Sequence, residues 1–106
     1  MIVKFMDGKE STTQELAELI RVEGRLGVQK YSTQQEDGSF LRCPMGVIED
    51  WVCSGNHYMT LHSYGQLFNK INTTFQSTNG LFELNDRYIG TPEERAIYIA
   101  NILDTL

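Results

Sequence analysis

The sequence predicts an α+β fold, mainly helical, of about four helices with a short N-terminal strand and a small hairpin around one core. Three observations carry this expectation. Ser/Thr-x-x-Glu/Gln capping boxes at Ser11 to Glu15, Ser63 to Gln66 and Thr91 to Glu94 each open a segment with apolar residues at helical spacing. Two Asp-Gly pairs, Asp7-Gly8 and Asp37-Gly38, stand where strands would turn, because both residue types accept the positive backbone angles of tight turns. No repeat, low-complexity tract or flexible linker divides the 106 residues, and 41% apolar content with charges of both signs suits a single globular domain over 1–106.

Taken in order, residues 2–6 read as a strand ended by Asp7-Gly8. Two overlapping capping boxes follow, Ser11 with Gln14 and Thr12 with Glu15, and Leu16, Leu19, Ile20 and the stem of Glu23 continue one helical face until Gly24 or Gly27. Residues 28–42 place β-tolerant ends around Asp37-Gly38, the pattern of a hairpin. Pro44 is preorganised for a first helical position, and Val47, Ile48, Trp51 and Val52 form an apolar stripe before Gly55. The next helix begins after Ser63 and sets Tyr64, Leu67, Phe68, Ile71 and Phe75 on one side, leaving Gln66, Asn69, Asn72, Thr73 and Gln76 outside. Residues 81–84 form a short apolar piece of undetermined type leading into Asn85-Asp86. The last helix runs from Pro92 to Asp104, with Ala96, Ile97, Ala100 and Leu103 toward the core.

Two segments carry a family likeness. Arg42 to Ile48, RCPMGVI, resembles the Cys-x-x-Gly segment of a widespread set of small uncharacterised bacterial and phage proteins. The same set is similar to this chain at Asn85-Asp86 after an aliphatic residue, followed by Thr91, acidic residues and a closing helix. The likeness spans Leu16 to Leu103, and Val47-Ile48 stands where that family carries Ala-Leu. It implies kinship of fold and a bacterial or phage setting, and no chemistry.

Composition narrows the function classes. A net charge of −5 gives no electrostatic footprint for phosphate backbones, so nucleic acid is not an expected partner. The two cysteines, Cys43 and Cys53, are too few for a disulfide framework and fit a reducing compartment, the cytoplasm, which is the host cytoplasm for a phage-encoded chain. The N-terminal residues reach Asp7 before any apolar stretch of signal length, and no run has the length of a membrane span.

Cys43 at a helix start, with His57, His62 and Asp86 as base and orienting acid, has the residue types of a hydrolytic or small-molecule site, but no cysteine hydrolase signature surrounds it. Cys43, Cys53, His57 and His62 lack the close paired spacing of a structural zinc site, so neither metal nor cofactor is expected. Asn85 and Asp86 read more simply as hydrogen-bonding glue or as a brace for the helix at Pro44. The more informative feature lies between Trp51 and Phe82, where Lys70 is the single charged residue. Depletion of charge beside aromatics, methionine and amides is the composition of recognition surfaces. The expected function is therefore a non-enzymatic interaction protein, a phage accessory factor binding and inhibiting a host defence protein. Its contact surface would be Trp51, His57, Tyr58, Met59, His62, Gln66, Asn69, Lys70 and Thr73, and the same face would serve a homodimer. The alternative is the small-molecule or hydrolytic site at Cys43, His57, His62 and Asp86.

Overall fold

The computed structural model describes residues 1–5, 10–28, 32–53 and 65–106, with the side chains of Ser32, Val52 and Cys53 outside the description. Strands β1 (Ile2–Lys4) and β2 (Glu10–Thr12) pair antiparallel and lead into α1 (Thr13–Glu23). The hairpin β3 (Ser32–Gln34) and β4 (Phe40–Arg42) follows, then α2 (Pro44–Cys53), α3 (Gly65–Phe75), α4 (Gly80–Arg87) and α5 (Pro92–Asp104). The mainly helical α+β fold is as expected, but the described residues hold five helices where about four were anticipated. The addition is α4, the short apolar piece and the Asn-Asp pair together. Leu81, Leu84 and Asn85 fall at i, i+3 and i+4 and are buried, while Glu83 and Arg87 form an i,i+4 ion pair at 2.5 Å. Eight residues show too little of a 3.6-residue period to stand out in sequence.

Capping boxes fix the starts of α1 and α5. Of the two overlapping boxes at α1, the one that forms joins Thr12 and Glu15: the Thr12 hydroxyl accepts from the Glu15 amide at 3.1 Å, and the Glu15 carboxylate accepts from the Thr12 amide at 3.3 Å. Ser11 is occupied instead in β2, opposite Val3. At α5 the Thr91–Glu94 box closes in the same way, at 3.1 and 3.0 Å. Asp37 holds the β3–β4 turn by accepting from the Ser39 amide at 2.9 Å.

Helices α1 and α5 make the main interface, burying Leu16, Ala17 and Ile20 from the first and Ala96, Ile99, Ala100, Ile102 and Leu103 from the second. Gln14 Nε2 donates to the Asp104 carbonyl at 3.2 Å, and Arg21 pairs with the Asp104 carboxylate. One core position was misassigned in sequence. Ile97 is 62% exposed and Ile99 is buried in its place. The buried stripe runs 96, 99, 100 and 103, the i, i+3, i+4, i+7 pattern, and Ile97 lies about 100° around the helix from Ala96.

Residues 24–27, between α1 and the hairpin, are stitched to three elements by backbone and side chain. The Leu26 amide donates to the Pro92 carbonyl at 3.0 Å, and the Gly27 amide to the Arg42 carbonyl at 3.0 Å. From α4, Asn85 Nδ2 donates to the Gly27 carbonyl at 2.8 Å. From α5, the Arg95 guanidinium donates to the carbonyls of Asn85 at 3.2 Å, Tyr88 at 2.9 Å and Leu26 at 3.4 Å. One cation thus satisfies carbonyls at the end of α4 and in the linker, where a positive charge also favours the α4 dipole. Arg42 makes a comparable tie, from β4 to Glu23 at 3.2 Å and to Asp50 at 2.9 Å.

Replacing Arg95 with Met keeps the aliphatic stem and removes every donor, leaving those carbonyls without their partner. The expected cost in urea unfolding is on the order of 2–4 kcal/mol, with Arg95→Lys recovering only part because one ammonium does not reproduce the planar fork. An Arg95→Met protein within about 0.5 kcal/mol of the parent would show that the carbonyls find other partners.

Candidate functional site

The Cys-x-x-Gly segment is a helix start. Cys43 precedes Pro44, the first residue of α2, and its sulfur accepts from the amide of Gly46, the third residue, at 3.4 Å. Its carbonyl accepts from the Val47 amide at 3.1 Å. This is the work of an N-cap, done by a sulfur where an oxygen is usual. The thiol is 3% exposed. Burial pushes its pKa above the ordinary thiol value and the charge of Asp86 pushes in the same direction, against the lowering effect of the Gly46 and Met45 amides. A protonated, buried thiol is a poor nucleophile at neutral pH.

Asn85 and Asp86 divide the work expected of the pair. Asn85 is 1% exposed and acts as hydrogen-bonding glue, donating to the Gly27 carbonyl. The Gly27 carbonyl can only accept, which fixes the orientation of the amide. Its Oδ1 has no hydrogen-bond partner among the described residues. Asp86 is exposed and lies in the last turn of α4, where its own helix dipole disfavours a carboxylate. Its charge is felt at Cys43, the cap of α2, so the N-terminus of that helix is the favourable counterpart.

The proposed contact residues fall into three groups. His57, Tyr58, Met59 and His62 lie outside the described residues, as do Ser63, Tyr64 and the side chain of Cys53. Trp51 is half-buried, its ring edge-on to Phe5 with centroids 6.2 Å apart, so much of it serves the core. Gln66, Asn69, Lys70 and Thr73 are all exposed and fall at i, i+3, i+4 and i+7 of α3, one continuous stripe opposite buried Leu67 and Ile71.

Asn72 does not belong to that outer face. Its Oδ1 accepts from the Ser77 hydroxyl and from the Gly80 amide, each at 2.8 Å, and so closes the turn between α3 and α4. Gly80 has φ +55, and a Cβ there would lie 2.5 Å from the Phe68 ring, so the position needs a residue without a side chain. The Glu83 carboxylate accepts from the amides of Thr78 at 2.6 Å and Asn79 at 3.3 Å. Those backbone hydrogen bonds, led by Thr78, hold the Glu83 pKa below its ordinary value, and those of Thr91 do the same for Glu94. The stabilisation from both groups is present above the ordinary carboxylate range and is lost as pH falls through their lowered folded values.

A feature that sequence reading missed lies at the start of α5. Tyr88 and Tyr98 stack with centroids 4.4 Å apart and planes at 14°. They line a shallow concavity with Glu94, Ile97 and Asn101, of which Ile97 is 62% exposed. The signal available in sequence was Ile97-Tyr98 straddling the edge of the α5 apolar stripe, which reads equally well as core.

Comparison with protein-family models, curated proteins and solved structures finds no match for this chain. Among the described residues no three His, Cys, Asp or Glu side chains gather in a metal-binding arrangement, and no helix is long and apolar enough to cross a membrane.

The cap role of Cys43 separates two substitutions. Cys43→Ser keeps an acceptor for the Gly46 amide and should cost about 1 kcal/mol or less, whereas Cys43→Ala loses the cap and should cost about 1–2 kcal/mol. Chemical denaturation of both variants checks the order. An alanine variant more stable than the serine variant would mean that the sulfur acts only as an apolar filler.

Proposed function

We propose that this chain is a non-enzymatic interaction protein whose contact surface includes the outer face of α3. The observation that carries the proposal is the exposed stripe of Gln66, Asn69, Lys70 and Thr73, which holds one charge across two helical turns. Solvated helix faces are ordinarily dense in charge, and a stripe of amide and hydroxyl groups costs less to desolvate against a partner. The buried, cap-forming thiol of Cys43 favours this reading over a nucleophilic site there. The narrower form of the proposal is a phage accessory factor acting in the host cytoplasm on a host defence protein. It is supported by the resemblance of the Cys43 and Asn85-Asp86 segments to small bacterial and phage proteins. Self-association through the same stripe makes the free protein a homodimer.

The test places charge on the stripe without touching the core. Asn69→Glu combined with Thr73→Glu should leave the melting temperature close to that of the parent. Light scattering should show the parent as a dimer at micromolar concentration and the variant as a monomer, and a bacterial protein captured reproducibly by the parent should be lost with the variant. A monomeric parent well above micromolar concentration would overturn the dimer. Capture unaffected by the two glutamates would overturn the α3 surface.

A further inference from the structure

A concavity runs along one side of α5. Glu94, Ile97, Tyr98 and Asn101 project along one side of the helix at i, i+3, i+4 and i+7, and Tyr88 from the preceding loop completes the wall. Tyr88 is fixed on two sides. Its ring stacks on Tyr98, and Gly90 passes so close that a Cβ there would lie 2.8 Å from Tyr88 Cε1. Its carbonyl is held by Arg95 at 2.9 Å. The lining is apolar where it is most exposed, at Ile97, 62% exposed.

The charge beside this apolar rim is negative. Glu93 and Glu94 occupy the first turn of α5, and the Thr91 cap holds the Glu94 side chain in place. Two carboxylates outweigh the roughly half positive charge of a helix N-terminus. The adjacent Arg95 guanidinium points at the carbonyls of Asn85, Leu26 and Tyr88, and its charge, which these neutral acceptors do not cancel, offsets part of the two carboxylates. A preformed aromatic pair with a carboxylate in the same wall matches a planar guanidinium, which stacks on aromatic faces while pairing with carboxylate. Exposed Ile97 matches an aliphatic neighbour.

We propose that the concavity bounded by Tyr88, Glu94, Ile97, Tyr98 and Asn101 is a docking site for a protein segment presenting an arginine beside an aliphatic side chain. Charge complementarity sets its occupant: a second copy of this acidic chain would bring further carboxylates, whereas a basic, apolar segment satisfies both rim and wall. The site is independent of the α3 surface and stands whether or not that surface binds.

The test is a titration of isotope-labelled full-length protein with acetyl-Leu-Arg-Leu-Arg-amide, followed by amide chemical shifts, with acetyl-Leu-Glu-Leu-Glu-amide as the charge-reversed probe. The basic peptide should give saturable shifts at Tyr88, Ile97 and Asn101, and the acidic one none. Glu94→Gln preserves the capping box, since glutamine closes it too, and should weaken the basic peptide about fivefold. Ile97→Ser alters an exposed residue and should weaken it by a similar factor. Absence of saturable shifts, saturation at α3 instead, equal binding of the acidic peptide, or unchanged affinity in both variants would overturn the proposal.

Discussion

The architecture depends on how one connecting segment is held. Residues 24–27 leave α1 for the hairpin, and at Leu26 and Gly27 their backbone is buried among α4, α5 and β4. Every buried carbonyl and amide in such a crossing needs a partner, or the fold loses a kilocalorie or more at each. Asn85 and Arg95 supply the side-chain share of this, one through an amide donor to Gly27, the other through a guanidinium shared among Asn85, Tyr88 and Leu26. The amides of Leu26 and Gly27 are satisfied by Pro92 and Arg42. The α1–α5 interface provides the apolar area, but these bonds fix where α4 and the hairpin sit relative to it.

This division explains what was legible in the sequence. Thr12, Glu15, Thr91, Pro92 and Glu94 act within their own helix ends, so their pattern can be read locally, and α1 and α5 begin where the capping boxes place them. Asp37-Gly38 acts within its own turn, and the hairpin forms around it. Asn85 acts across 58 positions and Arg95 across 69, to partners that only the folded chain brings near. Nothing local distinguishes them from surface residues. Helix α4 was missed for a related reason: its start is held by Glu83 reaching back to Thr78 and Asn79, with no Ser/Thr cap bond at Asn79. The candidate surface was partly legible, since the exposed α3 stripe follows from periodicity alone, whereas Asn72 left that stripe to serve the turn.

The two segments that suggested a site are accounted for by structure. Cys43 caps α2 through its sulfur, Asn85 anchors the linker, and Asp86 places a negative charge near the start of α2. Two further surfaces stand out among the described residues, a charge-poor stripe on α3 and an aromatic concavity lined by a carboxylate on α5.

The central claim is that Asn85 serves as a donor to the Gly27 carbonyl, and Asn85→Asp tests it most directly. A carboxylate there would face a carbonyl oxygen in a buried position, so its folded pKa would be raised above the unfolded value. Relative to the parent, the variant should be less stable by about 3 kcal/mol or more at neutral pH. The deficit should shrink as pH falls through the raised folded pKa and be smallest below the unfolded pKa, where a protonated carboxyl can donate to Gly27. The acid losses from Glu83 and Glu94 are common to both proteins and cancel in the difference. Urea unfolding of parent and variant across this pH range gives the result. A difference that is small or independent of pH would contradict the account, because it would mean that the Asn85 side chain does not donate to the linker.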